Sequence, residues 1–422
     1  MATLMNKRQP SIGFIFVTLL LDILGLGLII PVLPELVKSF TGGDFGQAST
    51  TLGIMTAIFA LMQFVFAPIL GSLSDQYGRR PVILISLLGS GLDYLLLAFA
   101  PTLSWLFVGR VIAGITSANI TAATAYIADV SPPEKRAQNF GLLGAAFGLG
   151  FTLGPALGGL LGGFGARVPF FVVAGITLLN WLYGYFVVPE SLPVENRRPF
   201  DWRRANPIGS LWGLTKYPIV LGLAGTLLLT GLAQNALQST WVLYTEYRFA
   251  WSTQAVGLSL AVVGISAMIV QGGFIRTIIP KLGERRSLIY GLIISTISFI
   301  LYGLATKGWM MYAIPFFGAF GSLAQPSAQG IISQNVGANE QGSIQGALAS
   351  LNSLTGVIGP LIATNVFSYF ISASAPVHIP GAAFFVGSLL IFCAILLTIN
   401  TFRRLPATTP NVAVATAAPP MH

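Results

Sequence analysis

The sequence GSLSDQYGRRP, residues Gly71–Pro81, joins two long apolar runs. Three charges within six residues at such a junction predict a tight turn at a membrane surface, because a soluble core has no use for them there. Asp75 and Arg79 are spaced to form an ion pair, and Gly78 permits the backbone conformation of a tight turn. Pro81 suits the start of the next helix, where its missing N–H has no helical partner to lose.

This turn recurs in the second part of the chain. At an offset of 205 residues the following positions correspond: Gly78 and Gly283, Arg79 and Glu284, Arg80 and Arg285, Gly141 and Gly346, Gly154 and Gly359, Pro155 and Pro360. The correspondence predicts two homologous halves. We expect an N-terminal bundle in residues 1–188 and a C-terminal bundle in residues 219–402. A linker, residues 189–218, joins them, and a tail rich in Pro, Ala and Thr, residues 403–422, is predicted to be disordered.

The composition is that of an integral membrane protein. Of 422 residues, 54% are hydrophobic and 8% are charged, with a mean hydropathy of +0.78; soluble domains carry about 25% charged residues. The net charge of +9 is spread over many short loops, so we expect no nucleic-acid partner. The single cysteine, Cys393, excludes an internal disulfide, and two histidines are too few for a haem or a His-rich metal site. We therefore expect no cofactor and no metal.

Twelve apolar runs are long enough to span a membrane as helices, which predicts an all-α fold. The first is too long for a signal peptide and contains Asp22. The predicted spans are Ser11–Val37, Ala48–Leu70, Pro81–Ala100, Leu103–Ala128, Ala137–Phe164, Val168–Val188, Ile219–Thr245, Thr253–Thr277, Ser287–Ala305, Trp309–Ser333, Gly342–Ile371 and Gly381–Phe402.

The distribution of lysine and arginine predicts the orientation. With the N-terminus in the cytoplasm, the cytoplasmic segments hold 17 basic residues and the outer loops hold 4, with Arg110 left inside a span. Positive charges concentrate on the cytoplasmic side of membrane proteins. Both termini are therefore predicted to be cytoplasmic. The basic, aromatic linker is expected to lie on the anionic leaflet of the lipid bilayer.

Three charged side chains lie well inside the spans, away from their ends: Asp22, Asp93 and Arg110. Each costs at least ~2.5 kcal/mol to place in a membrane, so such residues are usually functional. Their counterparts at the 205-residue offset are the uncharged residues Leu227, Ser298 and Pro315. A purely structural duty common to both halves would not explain charges in one half alone.

Each of these charges has a functional and a structural interpretation. Asp22 is predicted to load and unload a proton, since burial disfavours its charged form and a nearby cation favours it; alternatively, it forms a static pair with Arg110. Asp93 is either a second proton or substrate site or a hydrogen-bonding residue that aids packing. Arg110 cannot release its proton in practice, so it would tune an acid or bind an anion.

The fifth span contains a row of glycines followed by a proline. Small residues allow close helix contacts in membranes, and proline allows a bend. This pattern predicts an interface at which the halves rock, whereas a dimerisation face explains it less well. The residues, predicted to lie near one helix face, are Gly144, Gly148, Gly154, Pro155 and Gly158.

The second half carries polar but uncharged side chains inside its spans. Amides together with aromatic rings suit a roomy binding cavity; hydrogen bonding between helices is an equally common use of them. The predicted substrate-binding residues are Gln234, Asn235, Gln238, Gln271, Phe320, Gln325, Gln329 and Asn352.

Several of these segments resemble known transporters. GSLSDQYGRRP, LFVGRVIAG and GFTLGPALGG look like the three signature motifs of the major facilitator superfamily, the third especially that of its drug:proton antiporters. LLDILGLGLIIPVLPEL, WVLYTEYRFAW and NEQGSIQGALASLNSLTGVIGPL resemble the tetracycline-efflux transporters of Gram-negative bacteria. The resemblance implies twelve helices in two pseudo-symmetric six-helix bundles. It also implies export of a drug-like small molecule against protons by alternating access, by a monomer in the inner membrane.

The resemblance also implies roles for individual residues. Asp22, Asp75, Arg79, Asp93 and Arg110 fall on family positions tied to coupling or gating. The Asp75 loop, a gating motif that includes Gly71, Gly78, Arg79 and Arg80, is thought in such proteins to latch spans 2 and 11 together, with Asp129 as its partner.

Two positions depart from the family pattern. A basic residue usually stands where Gln76 does. An acid midway along span 9, taken to serve metal–drug or proton transfer, is matched here by Ser295. The resemblance thus does not extend to magnesium–tetracycline as the transported form.

Two other functions compete with drug export. A proton-coupled or facilitated transporter of a nutrient would use the same fold, and the glycines around Pro155 favour the antiporter. An enzyme has no support, because the sequence offers no phosphate-binding loop, no cofactor histidines and no nucleophile with a base nearby.

Overall fold

The computed structural model describes residues 12–117, 119–132, 135–200, 214–337 and 340–404. The part of the linker from 201 to 213, the tail from 405 to 422 and the basic N-terminal residues before Ile12 lie outside it. The described chain is helical and contains no strand. Its first half comprises α1 (Ile12–Ile29), α2 (Leu33–Phe40), α3 (Phe45–Tyr77), α4 (Arg79–Phe99), α5 (Leu103–Thr116), α6 (Asn119–Val130), α7 (Arg136–Gly162) and α8 (Val168–Val187).

The second half follows the same order. It comprises α9 (Pro218–Phe249), α10 (Thr253–Ile269), a π-helical segment (Val270–Phe274), α11 (Ile275–Leu282), α12 (Glu284–Leu304), α13 (Gly308–Gly318), a 3-10 segment (Ala319–Leu323), α14 (Ala324–Gln334), α15 (Gln341–Ile371) and α16 (Ala382–Arg404). The pairs α1–α2, α5–α6, α10–α11 and α13–α14 each make one predicted span.

Eleven segments of the described chain are apolar and long enough as helices to cross a membrane. The remaining predicted span, the tenth (Trp309–Ser333), is divided by the 3-10 segment between α13 and α14. Pro315 lies inside α13, and glycines border and occupy the 3-10 segment, so the regular helical hydrogen bonds are interrupted there. The fold is thus the predicted all-α arrangement of twelve spans, four of which consist of two helices each.

The turn at Gly78 is shorter than the sequence suggested. Helix α3 continues through Tyr77 and α4 begins at Arg79, so Gly78 alone separates them. Its φ of +105° lies in the region that favours glycine. Gly283 separates α11 from α12 in the same way, with φ of +78°. We call the end of the molecule at the α3–α4 turn the Gly78 face, and the opposite end, at the α2–α3 turn, the Gly42 face.

The outer surface of the helices is apolar. Side chains such as Ile85, Phe99, Phe186 and Leu389 are each at least 60% exposed. A soluble monomer rarely exposes large contiguous apolar areas, whereas a lipid-facing surface requires them. Together with the apolar spans, this surface identifies a multi-pass membrane protein.

Two helix pairs make the most extensive contacts between the halves. Helix α3 packs along α15, and α7 packs along α10. The 205-residue offset relates α3 to α10 and α7 to α15, so the two contacts are the same interface seen from each half. In the first contact the hydroxyl of Ser49 donates to the carbonyl of Thr364 at 3.0 Å. In the second, a Cβ at Gly159 would lie 2.9 Å from the Cα of Gly257. The helix backbones therefore touch where the halves meet.

Candidate functional site

A cavity of about 730 Å³ lies within the second half. Its lining comes from α9, α10, the π-helical segment, α12, α13, the 3-10 segment, α14, α15 and α16. Among its described lining residues, none carries a charge at neutral pH. Eight amide side chains dominate its polar surface: Gln234, Asn235, Gln238, Gln271, Gln325, Gln329, Gln345 and Asn352. Amides both donate and accept hydrogen bonds, so this lining suits a polar molecule without strong net charge.

Both irregular helical segments of the second half contribute to this cavity. Gln271 belongs to the π-helical segment, and Ser322 belongs to the 3-10 segment. Unpaired backbone groups are tolerated at membrane depth where they line a cavity, since water or a bound molecule satisfies them. Both irregular segments therefore lie where the cavity can offer partners to their backbone groups.

Seven of the eight predicted substrate-binding residues line the cavity. Phe320 is not among the lining residues, because its ring packs against that of Phe274, with centroids 5.6 Å apart. Asn235 has two roles: it lines the cavity and also donates to the hydroxyl of Thr355 on α15 at 3.1 Å. The hydrogen-bonding alternative thus applies to Asn235 as well.

Gln345 lines the cavity and was missed by the sequence analysis. Its position carried a usable signal, since Gln345 precedes Asn352 by seven residues, two helical turns, and so lies on the same face of α15. The small hydroxyl residues of the cavity, Thr230, Ser295, Ser298 and Ser322, carried no such signal, because serine and threonine commonly bond within their own helix.

A small charged cluster occupies the first half. Asp22, 5% exposed, and Asp93, 1% exposed, line one cavity of about 10 Å³, roughly the room for one water molecule. The guanidinium of Arg110 lies 3.8 Å from the Asp93 carboxylate. A Cβ at Gly109 would lie 2.8 Å from that carboxylate, so a glycine is needed beside it. The structure thus brings the three predicted membrane charges to one region.

The residues of the predicted gating motif meet at the Gly78 face. Arg79 is central: its guanidinium lies 2.5 Å from Asp75, as the spacing predicted, and 3.1 Å from Asp129 at the end of α6. It also donates to the hydroxyl of Ser74 at 2.6 Å. Gly71 faces α6, with its Cβ position 3.4 Å from Thr121. These contacts hold α3, α4 and α6 together within the first half.

Glu190, directly after α8, completes this group and was missed by the sequence analysis. Its carboxylate accepts from the backbone N–H groups of Arg79 at 2.9 Å and Arg80 at 3.2 Å, the first two residues of α4. It also accepts from the N–H of Leu192 at 3.0 Å. An acid at a helix N-terminus satisfies unpaired donors and the positive end of the helix dipole.

A Cβ at Gly78 would collide with this carboxylate. Arg80 itself donates to the carbonyl of Tyr185 at 2.5 Å.

The glycines of α7 lie on two sides of the helix, not on one as predicted. Gly154 and Gly158 face α1, where a Cβ at Gly154 would lie 2.7 Å from the Cα of Gly27. Gly148 faces α10, with its Cβ position 3.4 Å from Met268. Gly154 follows Gly148 by six residues. This is not a whole number of helical turns, so the two glycines lie on different sides of the helix. Helix α7 therefore contacts its own half and the other half at once, and Pro155 lies between these contacts.

Side chains of the two halves meet at the Gly42 face. At the Gly42 face, Lys38 on α2 forms an ion pair with Glu246 on α9, and the hydroxyl of Thr253 donates to Glu35. Toward the Gly78 face, five interface glycines have open space where a Cβ would be. They are Gly141, Gly144, Gly272, Gly273 and Gly346. The polar contacts described here between the halves therefore lie at the Gly42 face.

Comparison with known proteins agrees with this architecture. The model of the Major Facilitator Superfamily matches residues 15–360 and 278–419. The chain is 39% identical over 384 residues to the class C tetracycline resistance protein of Escherichia coli, covering 91% of this chain and 95% of that protein. It is 36% identical over 416 residues to the class H tetracycline resistance protein of Pasteurella multocida, covering 98% and 100%.

Solved structures share the fold. The human organic anion transporter MFSD10 matches with a TM-score of 0.69 and 25% identity, over 92% of this chain and all of that one (100%). The nucleoside transporter NupG matches with a TM-score of 0.75 at 12% identity, over 93% and 99%, which speaks to the fold alone. The protein therefore belongs to the major facilitator superfamily, within which it is similar to the tetracycline resistance proteins.

Proposed function

We propose that the protein exports a tetracycline-like small molecule in exchange for protons by alternating access. One observation carries the proposal: an uncharged cavity of about 730 Å³ lies in one half, and a buried acid–arginine cluster lies in the other. A transporter that couples two solutes needs a site for each. The relatives named as tetracycline resistance proteins favour export of such a drug over import of a nutrient.

The proton site is the cluster of Asp22, Asp93 and Arg110. A carboxyl group can bind and release a proton, whereas arginine keeps its charge and stabilises a neighbouring carboxylate. We assign proton carriage to Asp22 and Asp93 and the tuning role to Arg110. The cavity with its amide side chains is the drug site, and the chain acts as a transporter without enzymatic activity.

The gating residues and the glycines of α7 permit the change of access. We propose that the contacts at the Gly42 face open as the Gly78 face closes, with the halves rocking about the close contacts of α7 with α10. The latch between spans 2 and 11 would then form through Asp75 in the conformation closed at the Gly78 face. The bundles are residues 1–188 and 219–402, joined by the linker 189–218.

The Gly78 face is proposed to be cytoplasmic. Of the 22 lysines and arginines, the loops on this side hold most, and such an excess marks the cytoplasmic side. The protein would then lie in the cell's inner membrane with both termini inside, act as a monomer, and take up its substrate from the cytoplasm through the Gly78 face.

Transport into inverted membrane vesicles tests this function. An imposed proton gradient, acidic inside, should drive tetracycline accumulation, and a protonophore should abolish it. Vesicles without the protein and vesicles with Asp22→Asn serve as controls. Tetracycline accumulation that does not depend on the proton gradient would contradict antiport. Equilibration of tetracycline without accumulation would also contradict it and would support a facilitator instead.

A further inference from the structure

The two cavities occupy equivalent places in the two halves. Seven residues line the small cavity of the first half: Asp22, Leu26, Ser90, Asp93, Tyr94, Ala113 and Ser117. Their counterparts 205 residues later are Leu227, Gly231, Ser295, Ser298, Phe299, Gly318 and Ser322. All seven counterparts line the large cavity. The proposed proton site and one part of the proposed drug site thus occupy the same location in the two pseudo-symmetric halves.

The charges are absent from the repeated location. Leu227 stands where Asp22 does, Ser298 where Asp93 does, and Pro315, which also lines the large cavity, where Arg110 does. The corresponding location in the second half is therefore part of a larger, uncharged cavity, and it contains three serines.

Two of these hydroxyls already donate to their own helix. Ser298 donates to the carbonyl of Ile294 at 2.8 Å, and Ser322 donates to that of Ala319 at 2.6 Å. Since a hydroxyl has one proton and two lone pairs, each still offers an acceptor to the cavity.

Two glycines make room for the hydroxyl groups of these serines. A Cβ at Gly318 would lie 3.1 Å from the Ser298 hydroxyl oxygen, and one at Gly321 would collide with that of Ser295. Ser295, Ser298 and Ser322 thus form a compact group, which we call the serine group, at the crossing of α12 with α13 and the 3-10 segment.

We propose that the serine group is the specificity-determining subsite of the cavity and binds hydroxyl and carbonyl groups of the drug free of any metal ion; this rests on the proposed function. Hard divalent cations select carboxylate ligands. The cavity lining described here contains none, and no cluster of three His, Cys, Asp or Glu residues in the described chain could hold a metal. A cationic chelate would enter this cavity without a counter-charge, which is costly.

Tetracycline binding and transport with and without magnesium test the proposal. Purified protein should bind tetracycline in EDTA with an affinity within about twofold of that in magnesium, and gradient-driven uptake into vesicles should persist in EDTA. Binding or uptake that requires magnesium would overturn the metal-free subsite while leaving the proposed function intact. Absence of uptake in both media would overturn the proposed function and the subsite together.

Serine variants locate the subsite. Removing hydroxyls with Ser295→Ala and Ser298→Ala should together weaken tetracycline binding in EDTA by roughly tenfold, the scale of one or two lost hydrogen bonds. Ser287→Ala is the matched control: Ser287 is a buried serine on the same helix α12 and does not line the cavity. Equal affinity in the double variant and the control would contradict the assignment, provided that both variants elute as folded protein.

Discussion

The guanidinium of Arg79 lies 3.1 Å from the carboxylate of Asp129, and the residues 205 positions later, Glu284 and Gln334, are joined as well. There the amide of Gln334 donates to Glu284 at 3.1 Å. Each contact ties the helix that begins after a glycine turn to the end of the following span. The repeat has kept the position of the contact and reversed the charge of its first member. The Gly78 face thus carries an ion pair in one half and a polar bond in the other.

The proposed latch at the Gly78 face depends on Asp75. Asp75→Asn should reduce drug export by about tenfold while leaving the amount of protein in the membrane unchanged, because Asp75 is partly exposed and the buried Arg79 keeps its ion pair with Asp129. Export by inverted vesicles and immunoblots of the membrane fraction measure the two quantities. Glu195→Gln, an exposed acid in the linker, is the control. Normal export by Asp75→Asn would remove Asp75 from the gate.

Glu190 is expected to act on stability. Glu190→Gln would weaken the acceptor of the N–H groups at the start of α4, and loss of such a cap typically costs about 1 kcal/mol. The unfolding temperature of purified protein should fall, and that of Glu195→Gln should not. An unchanged unfolding temperature would show that water replaces the carboxylate as acceptor without loss of stability.

The ion pair at the Gly42 face should control closure. Lys38→Glu places two acids together at the contact with Glu246, and we expect export to fall at least tenfold because like charges hold this face open. The double variant Lys38→Glu with Glu246→Lys restores opposite charges and should recover most of the activity. Failure of the reversed pair to recover would show that Lys38 acts through another contact, such as the ring of Phe45 beneath it.

The linker joins the second half through an acid that should sense pH. Hydrogen bonds from Tyr217 and Lys216 lower the pKa of Glu340. A lowered pKa stabilises the folded state above the ordinary carboxyl pKa of about 4.3, and this contribution is lost as the pH falls through the lowered value. Thermal unfolding of wild type and Glu340→Gln should therefore differ at pH 7 and converge toward pH 3. A difference that stays constant with pH would contradict this role.

Asp22 is predicted to carry the proton. Asp22→Asn should abolish uphill export, since an amide cannot titrate, while tetracycline affinity stays within about threefold of wild type because the drug cavity lies in the other half. Asp22→Glu should keep partial activity. Affinity and flux are measured on the same purified protein. Uphill export by Asp22→Asn would shift the assignment to Asp93, and joint loss of binding and flux would make Asp22 a drug ligand.

The sequence predicted those features that depend on composition and repetition. Twelve spans and two related halves follow from apolar runs and from the pairing of Gly78 with Gly283. The interruption of the tenth span was not predicted, because hydropathy does not report the hydrogen-bond pattern of a helix. Trp309–Ser333 is continuously apolar, although a 3-10 segment divides it.

Contacts between distant segments could not be predicted in the same way. The spacing of the glutamines in α9 and α14 is enough to predict a polar cavity. The approach of Arg110 to Asp93, by contrast, depends on how α4 meets α5, and the role of Glu190 depends on where the chain passes after α8. Phe320 was assigned to the cavity from its neighbours in sequence, but its ring turns to Phe274.

The lining of the large cavity lies entirely between Leu227 and Ile391. On the proposed assignment, drug recognition and energy supply are encoded in separate stretches of the gene. Selection by a new antibiotic can therefore remodel the later stretch while the earlier one, with its titrating acids, remains untouched. Recombination between relatives near the linker would exchange drug spectra in a single event, and each recombinant would inherit a complete proton pathway.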